Sequence, residues 1–473
     1  MSLNEATPEF LSRLKETLGP KGWRDPADAP EAFKEDRDRF TGTGALVVLP
    51  ASTEEVAQVV KACAEARVPL IPYSGATGLV GGHLTLEKPA PVAMCLRRMD
   101  RIRDVDATDN AMIVEAGVIL QTIQETAAEV DRLFPLSLAS EGSCRIGGNL
   151  ATNAGGVNTL RYGNARDLCL GIEAVMPDGS IFNGLKRLRK DNMGYDIRHL
   201  MVGSEGTLGI ITAAALKLFP RPTEYATGWI EVPSPAAAVE LLHFLRPRVG
   251  DVISAFELID NVGVGFLAEA GFDHSLPLDP MPKWSVLIDC GGRAGVGEAL
   301  EAALAEAFDV GLATDGTLAQ SEGQRQAFWH VRETIPLANR AVGAISSHDT
   351  AVPVARIAAF IDDASAAIAE FNPEMRVNCF GHAGDGNLHF NLFPAKGRSK
   401  ADYANQRDEA KRIIHDVAHA HEGSVGAEHG VGRLKVGDMT RYGDAGLLAA
   451  MRAIKGALDP HGIMNPGAML TRA

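Results

Sequence analysis

The sequence predicts a two-part α+β protein, on three observations. Its 473 residues exceed what one hydrophobic core usually supports, so two or three domains are the default. The first half opens with a β-α-β pattern and continues in short apolar strands. The second half alternates strands with Ala/Glu-rich helices, and no tandem repeat or low-complexity tract interrupts either half.

The elements follow in order. "MSLNEATPEFLSRLKETLG" is acidic and lacks an apolar core, which predicts an amphipathic helix rather than a signal or transit peptide. "GALVVLP" is a strand closed by Pro50, and "STEEVAQVVKACAEARV" has a Ser/Thr cap with Glu54 and Glu55 in its first turn, a helix start. "PLIPYSG" completes the β-α-β unit. Further strands are predicted in "PVAMCL", "AMIVEAGV" and "LGIEAVMPDG", with a helix "ILQTIQETAAEVDRL" before the last. A second α+β region starts near "ATGWIEVPSPAAAVELLHFLRPR" and runs through "KWSVLIDCGG", "GEALEAALAEAFD" and "ARIAAFIDDASAAIAEF". The tail is helical in "RDEAKRIIHDVAHAHEG" and "LLAAMRAIKGALDPHGIMNPG".

Composition narrows the function. Asp+Glu 60 against Lys+Arg 46 gives a formal charge of −14, which argues against non-specific nucleic-acid binding but leaves room for a local basic pocket. The 6 cysteines (Cys63, Cys95, Cys144, Cys169, Cys290, Cys379) contain no CxxC pair. They read as buried thiols of a reducing compartment, with no framework for disulfides, a zinc knuckle or an iron–sulfur centre. No stretch is long and apolar enough to span a bilayer, and the expectation is a cytoplasmic protein.

Three glycine-rich stretches stand out in the first half. "PYSGATGLVGG" (72–82) follows a strand, where successive N–H groups can wrap a pyrophosphate; it is neither G-x-G-x-x-G nor a P-loop. "EGSCRIGGNLATNAGGVNTLRYGNARD" (141–167) is too long for a connection, and its small residues let backbone press against a flat ring. Asn149, Thr152 and Asn153 supply polar contacts there. "LRKDNMGYDIRHLMVGSEGTLGIIT" (188–212) again pairs glycines with hydroxyls before an apolar strand. Each alone reads as a turn; together they predict one large, elongated cofactor.

In the second half, "GHAGDGNLHFN" (381–391) sets His382 and His389 around a glycine turn, and "HEGSVGAEHGVG" adds Glu428 and His429. Two histidines and a glutamate form a ligand set for Zn²⁺ or a similar ion with open positions. Histidines hydrogen bonded in turns are the alternative.

The stretches "IGGNLATNAGG", "RYGN", "LRKDNMGYD", "GSEGTLGIIT", "HxGDGNLHxN" and "EHG" resemble, over nearly the whole chain, flavin-dependent oxidoreductases of the vanillyl-alcohol oxidase fold. The similar branch holds D-lactate dehydrogenase, the glycolate oxidase flavoprotein subunit and D-2-hydroxyglutarate dehydrogenase. The resemblance implies an N-terminal helical segment (1–40), a two-part FAD-binding domain (41–222), an α+β substrate (cap) domain with an antiparallel sheet carrying the metal ligands (223–425), and a C-terminal segment returning to the FAD domain (426–473). FAD would lie extended and non-covalent, because the first loop reads "SGATG" where some relatives tether the flavin through a histidine; His83, just past it, reads as structural. Ser74, Gly75, Ala76, Thr77, Gly78 and Leu79 would meet the pyrophosphate, and Pro72 before them would also bind the cofactor. Gly142, Ser143, Gly147, Gly148, Asn149, Thr152, Asn153 and Gly155 would line the ribityl and isoalloxazine portions, with Gly209 and Ile211 from the third stretch.

Carried over in the same way, His382, His389 and Glu428 would hold one divalent metal, with Zn²⁺ favoured and Mn²⁺ the alternative. Asn391, on the same strand face as His389, would contact substrate, and His429 would be the general base. Asp385 and Asn387 would shape the turn, with Asn387 near the flavin. "FWHVRETIP" matches the "WxxRE" helix, so Arg332 would clamp a substrate carboxylate, a salt bridge being the plainer reading; Glu333 reads as such a bridge. The implied reaction removes the hydroxyl proton of a D-2-hydroxy acid and moves its alpha hydrogen to flavin N5, D-2-hydroxyglutarate being favoured and D-lactate or glycolate the alternatives. Two positions depart from the hydroxyglutarate pattern: Pro336 and Ser347 stand where a threonine and a lysine are expected, so a short-chain dianion should bind less tightly unless Arg340, Arg356 or His348 compensates. Electrons would leave to an external electron-transfer flavoprotein, quinone or cytochrome. Homodimerisation is left open. A non-catalytic flavin-binding subunit is the reading of another class, and the retained ligand residues speak against it.

Overall fold

The structure, a computed structural model, describes residues 2–34, 41–85 and 87–471. The chain divides into two compact units. One comprises Met1–Gly155, Gly163–Arg221 and Glu428–Ala473; the other comprises Gly156–Tyr162 and Pro222–Ala427. The architecture is mixed α+β, with a glycine-loop-bearing N-terminal part and a separate antiparallel sheet.

In the first unit the helix Pro8–Leu18 is capped by Thr7, whose side chain accepts from Phe10 N, and it buries Phe10, Leu14 and Leu18. It lies within the 1–40 segment, of which positions 1 and 35–40 fall outside the described residues. The β-α-β unit consists of Leu46–Val48, Thr53–Ala66 and Leu70–Tyr73. Ser52 caps the helix by accepting from Glu55 N at 3.2 Å, and Val56, Val59, Val60 and Cys63 form its buried face. Its two strands are not neighbours: Val92–Cys95 lies between them and pairs parallel with both. A second, antiparallel sheet runs in the order Ile102–Asp106, Ala111–Glu115, Ile210–Lys217, Cys169–Val175, Ile181–Gly184. After the helix Ala445–Leu458, the chain joins the edge of Leu70–Tyr73: Leu70 N donates to Ile463 O and Asn465 N to Leu70 O, each at 2.8 Å. That pairing brings Asn465 beside the first glycine loop.

The second unit is built on a seven-stranded antiparallel sheet. Its order is Asp315–Leu318, Glu224–Glu231, Trp284–Gly292, Ile253–Asp260, Arg376–Gly381, Asn387–Phe393, Ser346–Ala351. Alternation along a strand sorts the side chains. Leu388, Phe390 and Leu392 face a core shared with the helices Pro235–Val249, Val296–Asp309, Ile357–Phe371 and Arg407–Ala420. Burying one such side chain stabilises by roughly 1.5–3 kcal/mol. The opposite face carries Ile259, Phe380 and Phe393 under Phe328, Val331 and Ile335 of the helix Glu322–Val342. His389 and Asn391 belong to this second face.

The glycine-rich stretch 141–167 contains the helices Ile146–Ala151 and Thr159–Tyr162. Small residues here serve packing as well as access. Within the second unit Leu160 packs on the sheet core, and a Cβ on Gly384 would approach it at 2.6 Å. All six cysteines are free and buried, and burial pushes the thiols of Cys63, Cys169 and Cys290 up to about 12. Among the described residues no helix is long and apolar enough to cross a membrane.

Candidate active site

The first unit contains a cleft of about 1060 Å³, counting the solvent that reaches into it. Pro72, Ser74, Gly75, Ala76, Thr77 and Gly78 line it from the first loop; Gly147, Gly148, Asn149 and Thr152 from the second; Gly209 and Ile211 from the third. Leu79, Gly142, Ser143, Asn153 and Gly155 belong to the same loops but do not line the cleft. The loops meet through backbone. A Cβ on Gly75 would stand 2.6 Å from Ser143 O, and one on Gly148 would stand 2.9 Å from Ser74 Cβ. Ser143 therefore backs the wall that Gly75 forms, and the Asn153 side chain is committed to Arg166 N.

The wall fits a dinucleotide. Seven of its lining residues are glycines, and Asn149 Oδ1 is buried in it with no hydrogen-bond partner among the described residues, an acceptor that a ligand donor would satisfy. His83 lines the same cleft while its Nε2 contacts Lys34 O at 3.1 Å, and burial lowers its pKa. His429 also lines it, with Nε2 3.4 Å from Glu428 Oε1.

Glu205 was not singled out from the sequence, although an acid inside "GSEGTLG" was a signal. Its two carboxylate oxygens accept from Val431 N and Gly432 N, both at 2.7 Å. Asn465 Nδ2 donates to its backbone carbonyl at 2.7 Å. It thereby anchors the loop that carries His429. Burial raises the Glu205 pKa; the two N–H donors and the charges of Arg433 and Lys435 offset that only in part.

In the second unit the strands Arg376–Gly381 and Asn387–Phe393 form a hairpin in which Phe380 faces His389 in register. Gly386 turns it with φ +90°, and a Cβ there would collide with Val352 O. Asp385 Oδ1 accepts from Asn387 N at 3.1 Å. The Asn387 amide is committed within this unit, donating to Asp349 Oδ1 and Thr350 O. The His382 and His389 rings lie 5.7 Å apart at 78°. Both imidazoles come from this one hairpin, and Glu428, the first residue of the other unit's C-terminal segment, is the carboxylate that the sequence reading groups with them. Two imidazoles and a carboxylate suit Zn²⁺ and related ions.

Behind this group stands Glu257, with its side chain fully buried. Oε1 lies 2.5 Å from His382 Nδ1, while Oε2 accepts from Arg332 Nε at 2.8 Å with Nη2 at 2.7 Å. Burial acts to raise the Glu257 pKa, but His382 and Arg332 outweigh it and hold the carboxyl well below its usual range, at about 2. Arg332 is itself buried, its guanidinium 5.1 Å from the Phe380 ring centre. Asn391 is buried and its Oδ1 accepts from His348 N. Pro336, Arg340 and Ser347 are exposed. Glu257 too escaped the sequence reading; its signal was a lone acid in the apolar run "ISAFELID".

Two family models cover most of the chain. One described as an FAD binding domain matches residues 44–184, and one described as the C-terminal domain of FAD linked oxidases matches residues 221–469. The chain is an FAD-linked oxidase of the vanillyl-alcohol oxidase fold. This oxidoreductase is 33% identical over 460 residues to the mitochondrial D-2-hydroxyglutarate dehydrogenase of Arabidopsis thaliana, spanning 96% of this chain and 80% of that protein. It is 32% identical to a putative mitochondrial D-lactate dehydrogenase of Schizosaccharomyces pombe, spanning 93% and 85%. In fold it matches p-cresol methylhydroxylase with a TM-score of 0.77 at 17% identity, covering 98% of this chain and 97% of that one.

The expected cytoplasmic location is corrected by these relatives. Those from Arabidopsis, rice, cattle, fission yeast and zebrafish are mitochondrial proteins. The acidic balance and free thiols of a shared enzyme body suit a mitochondrial matrix as well as a cytosol, so they could not decide the compartment.

Proposed function

We propose that this FAD-dependent oxidoreductase is a metal-assisted dehydrogenase that oxidises a D-2-hydroxy acid to the 2-oxo acid. The observation that carries the reading is the pairing of His382 and His389 on one hairpin, their rings 5.7 Å apart. When bound, a divalent ion would supply Lewis acidity and the flavin a two-electron acceptor. His382 and His389 present imidazoles and Glu428 a carboxylate to the ion. Arg332 grips the substrate carboxylate through its guanidinium, Asn391 orients the substrate, and His429 takes the hydroxyl proton on its imidazole, a base well matched to neutral pH. Zn²⁺ is favoured over Mn²⁺ for this donor set. The electrons leave to an external acceptor.

D-2-hydroxyglutarate is the favoured substrate, supported by the similarity to dehydrogenases of that acid. Pro336 and Ser347 favour a second reading, because neither offers a positive charge to a distal carboxylate; a shorter monoanion such as D-lactate would then be preferred. The test is anaerobic bleaching of the bound flavin by D- and L-2-hydroxy acids, with and without chelator. Bleaching by one D-acid, lost on chelation and restored by metal, is the expected result. Bleaching that survives complete metal removal refutes the role given to His382, His389 and Glu428. For His389→Ala we expect bleaching to slow by about 10²-fold or more, since metal polarisation contributes several kcal/mol.

A further inference from the structure

We propose that Glu257 is a positioning residue that sets His382 and Arg332 together, one carboxylate oxygen to each. The inference rests on the proposed roles of His382 as a metal ligand and Arg332 as a carboxylate clamp. Glu257 lies on the strand Ile253–Asp260, on the same sheet face as Ile259 two residues on. Its side chain is fully buried, where an ionised carboxylate is tolerated only if it is fully paired.

Oε1 meets His382 Nδ1 at 2.5 Å. With a proton on Nδ1 donated to this oxygen, the imidazole is held in the tautomer whose Nε2 lone pair can bind a cation, and the acidic acceptor makes that nitrogen a stronger donor. Oε2 engages the Nε and Nη2 edge of Arg332. That fixes the plane of the guanidinium and turns its other edge, at Nη1, away from Glu257. Metal ligand and clamp are thereby held in one geometry by a single rigid group.

Stability does not account for this arrangement, because well-packed apolar side chains can replace a buried ion pair at little cost. The same sheet and helix supply an internal comparison. Asp289 is also buried, and it pairs with Arg325 at 2.8 Å and 3.0 Å and with Thr227. Asp289 ties strand to helix without touching any histidine in these contacts, whereas Glu257 extends the same kind of pair to a metal ligand.

The test uses the full-length, flavin-loaded protein and zinc alone as the probe, measured in competition with a chromogenic chelator. For Glu257→Gln we expect zinc affinity to fall by about 10- to 100-fold and KM for the best D-2-hydroxy acid to rise, with the flavin spectrum unchanged. Asp289→Asn should lower the thermal midpoint and leave zinc affinity and KM at wild-type values. Wild-type zinc affinity and KM in Glu257→Gln would overturn the proposal, and so would an equal loss in Asp289→Asn, which would mark a general loosening of the sheet. If Glu257→Gln does not fold, Glu257→Asp decides: it keeps the charge but is one methylene too short to reach both partners, so undiminished zinc affinity and KM again overturn it. Wild-type protein that binds zinc no more tightly than His389→Ala would sink the metal reading itself, a result distinct from failure at Glu257.

Discussion

Two buried glutamates, one in each unit, solve the same problem in opposite ways. Glu205 in the cleft of the first unit is met by backbone N–H groups of Val431 and Gly432, and burial still raises its pKa. Glu257 in the second unit is met by His382 and Arg332 and is held at about 2. At Glu205 two main-chain donors and the charges of Arg433 and Lys435 compensate burial only in part, whereas at Glu257 the directly bonded His382 and Arg332 outweigh it. The first unit accordingly builds its site from backbone and glycine, the second from charged side chains. The first arrangement suits a large neutral ring system with a phosphate tail, the second a small anion and a cation.

The contrast breaks most visibly at Glu257. Replacing it by Leu strands Arg332 beside His382 in a buried site, and unfolding in urea should show a loss of about 3–5 kcal/mol. Glu205→Gln, which keeps an acceptor for one of the two N–H groups, should cost only about 1 kcal/mol. Equal losses would erase the distinction between the two carboxylates.

A smaller effect is expected in the glycine wall. Gly75→Ala places a methyl against Ser143 O and Cys144 Cα, backbone atoms that cannot swing away. Overpacking of this kind costs about 1–3 kcal/mol, and the protein should release flavin on gel filtration while zinc binding that depends on His382 and His389 persists. Retention of flavin at the wild-type ratio would show that the loops have slack.

The smallest effect sharpens the comparison through pH. Glu205 has a folded pKa above its ordinary 4.5, so between that value and the folded pKa the unfolded chain loses its proton while the folded one keeps it. Stability then falls as pH rises through that window, by at most about 1.4 kcal/mol per pH unit. Urea midpoints of wild type and Glu205→Gln should diverge there, with the variant lacking this downward contribution. Parallel curves would mean that the N–H donors compensate the charge after all.

Much of this was legible in the residues. Periodicity and caps located the strands and helices around 46–73, because a β-α-β unit is specified by local pattern and by Ser52 at the helix start. The glycine stretches marked the cleft and the two histidine motifs the candidate metal ligands, since chemistry restricts which residue types can serve at a glycine-rich wall or as ligands. Their resemblance to a flavoenzyme family supplied the cofactor.

Local pattern could not say that Val92–Cys95 would slip between the strands of the β-α-β unit, that 156–162 would count with the second unit, or that Leu79 and Gly155 would miss the cleft. Nor could it find the partners of Glu205 and Glu257, which lie 226 and 125 residues away in sequence. Such pairings are set by how sheets and loops stack. Sequence determined which groups were available; tertiary packing decided which of them met, because burial and charge compensation depend on neighbours that only folding brings together.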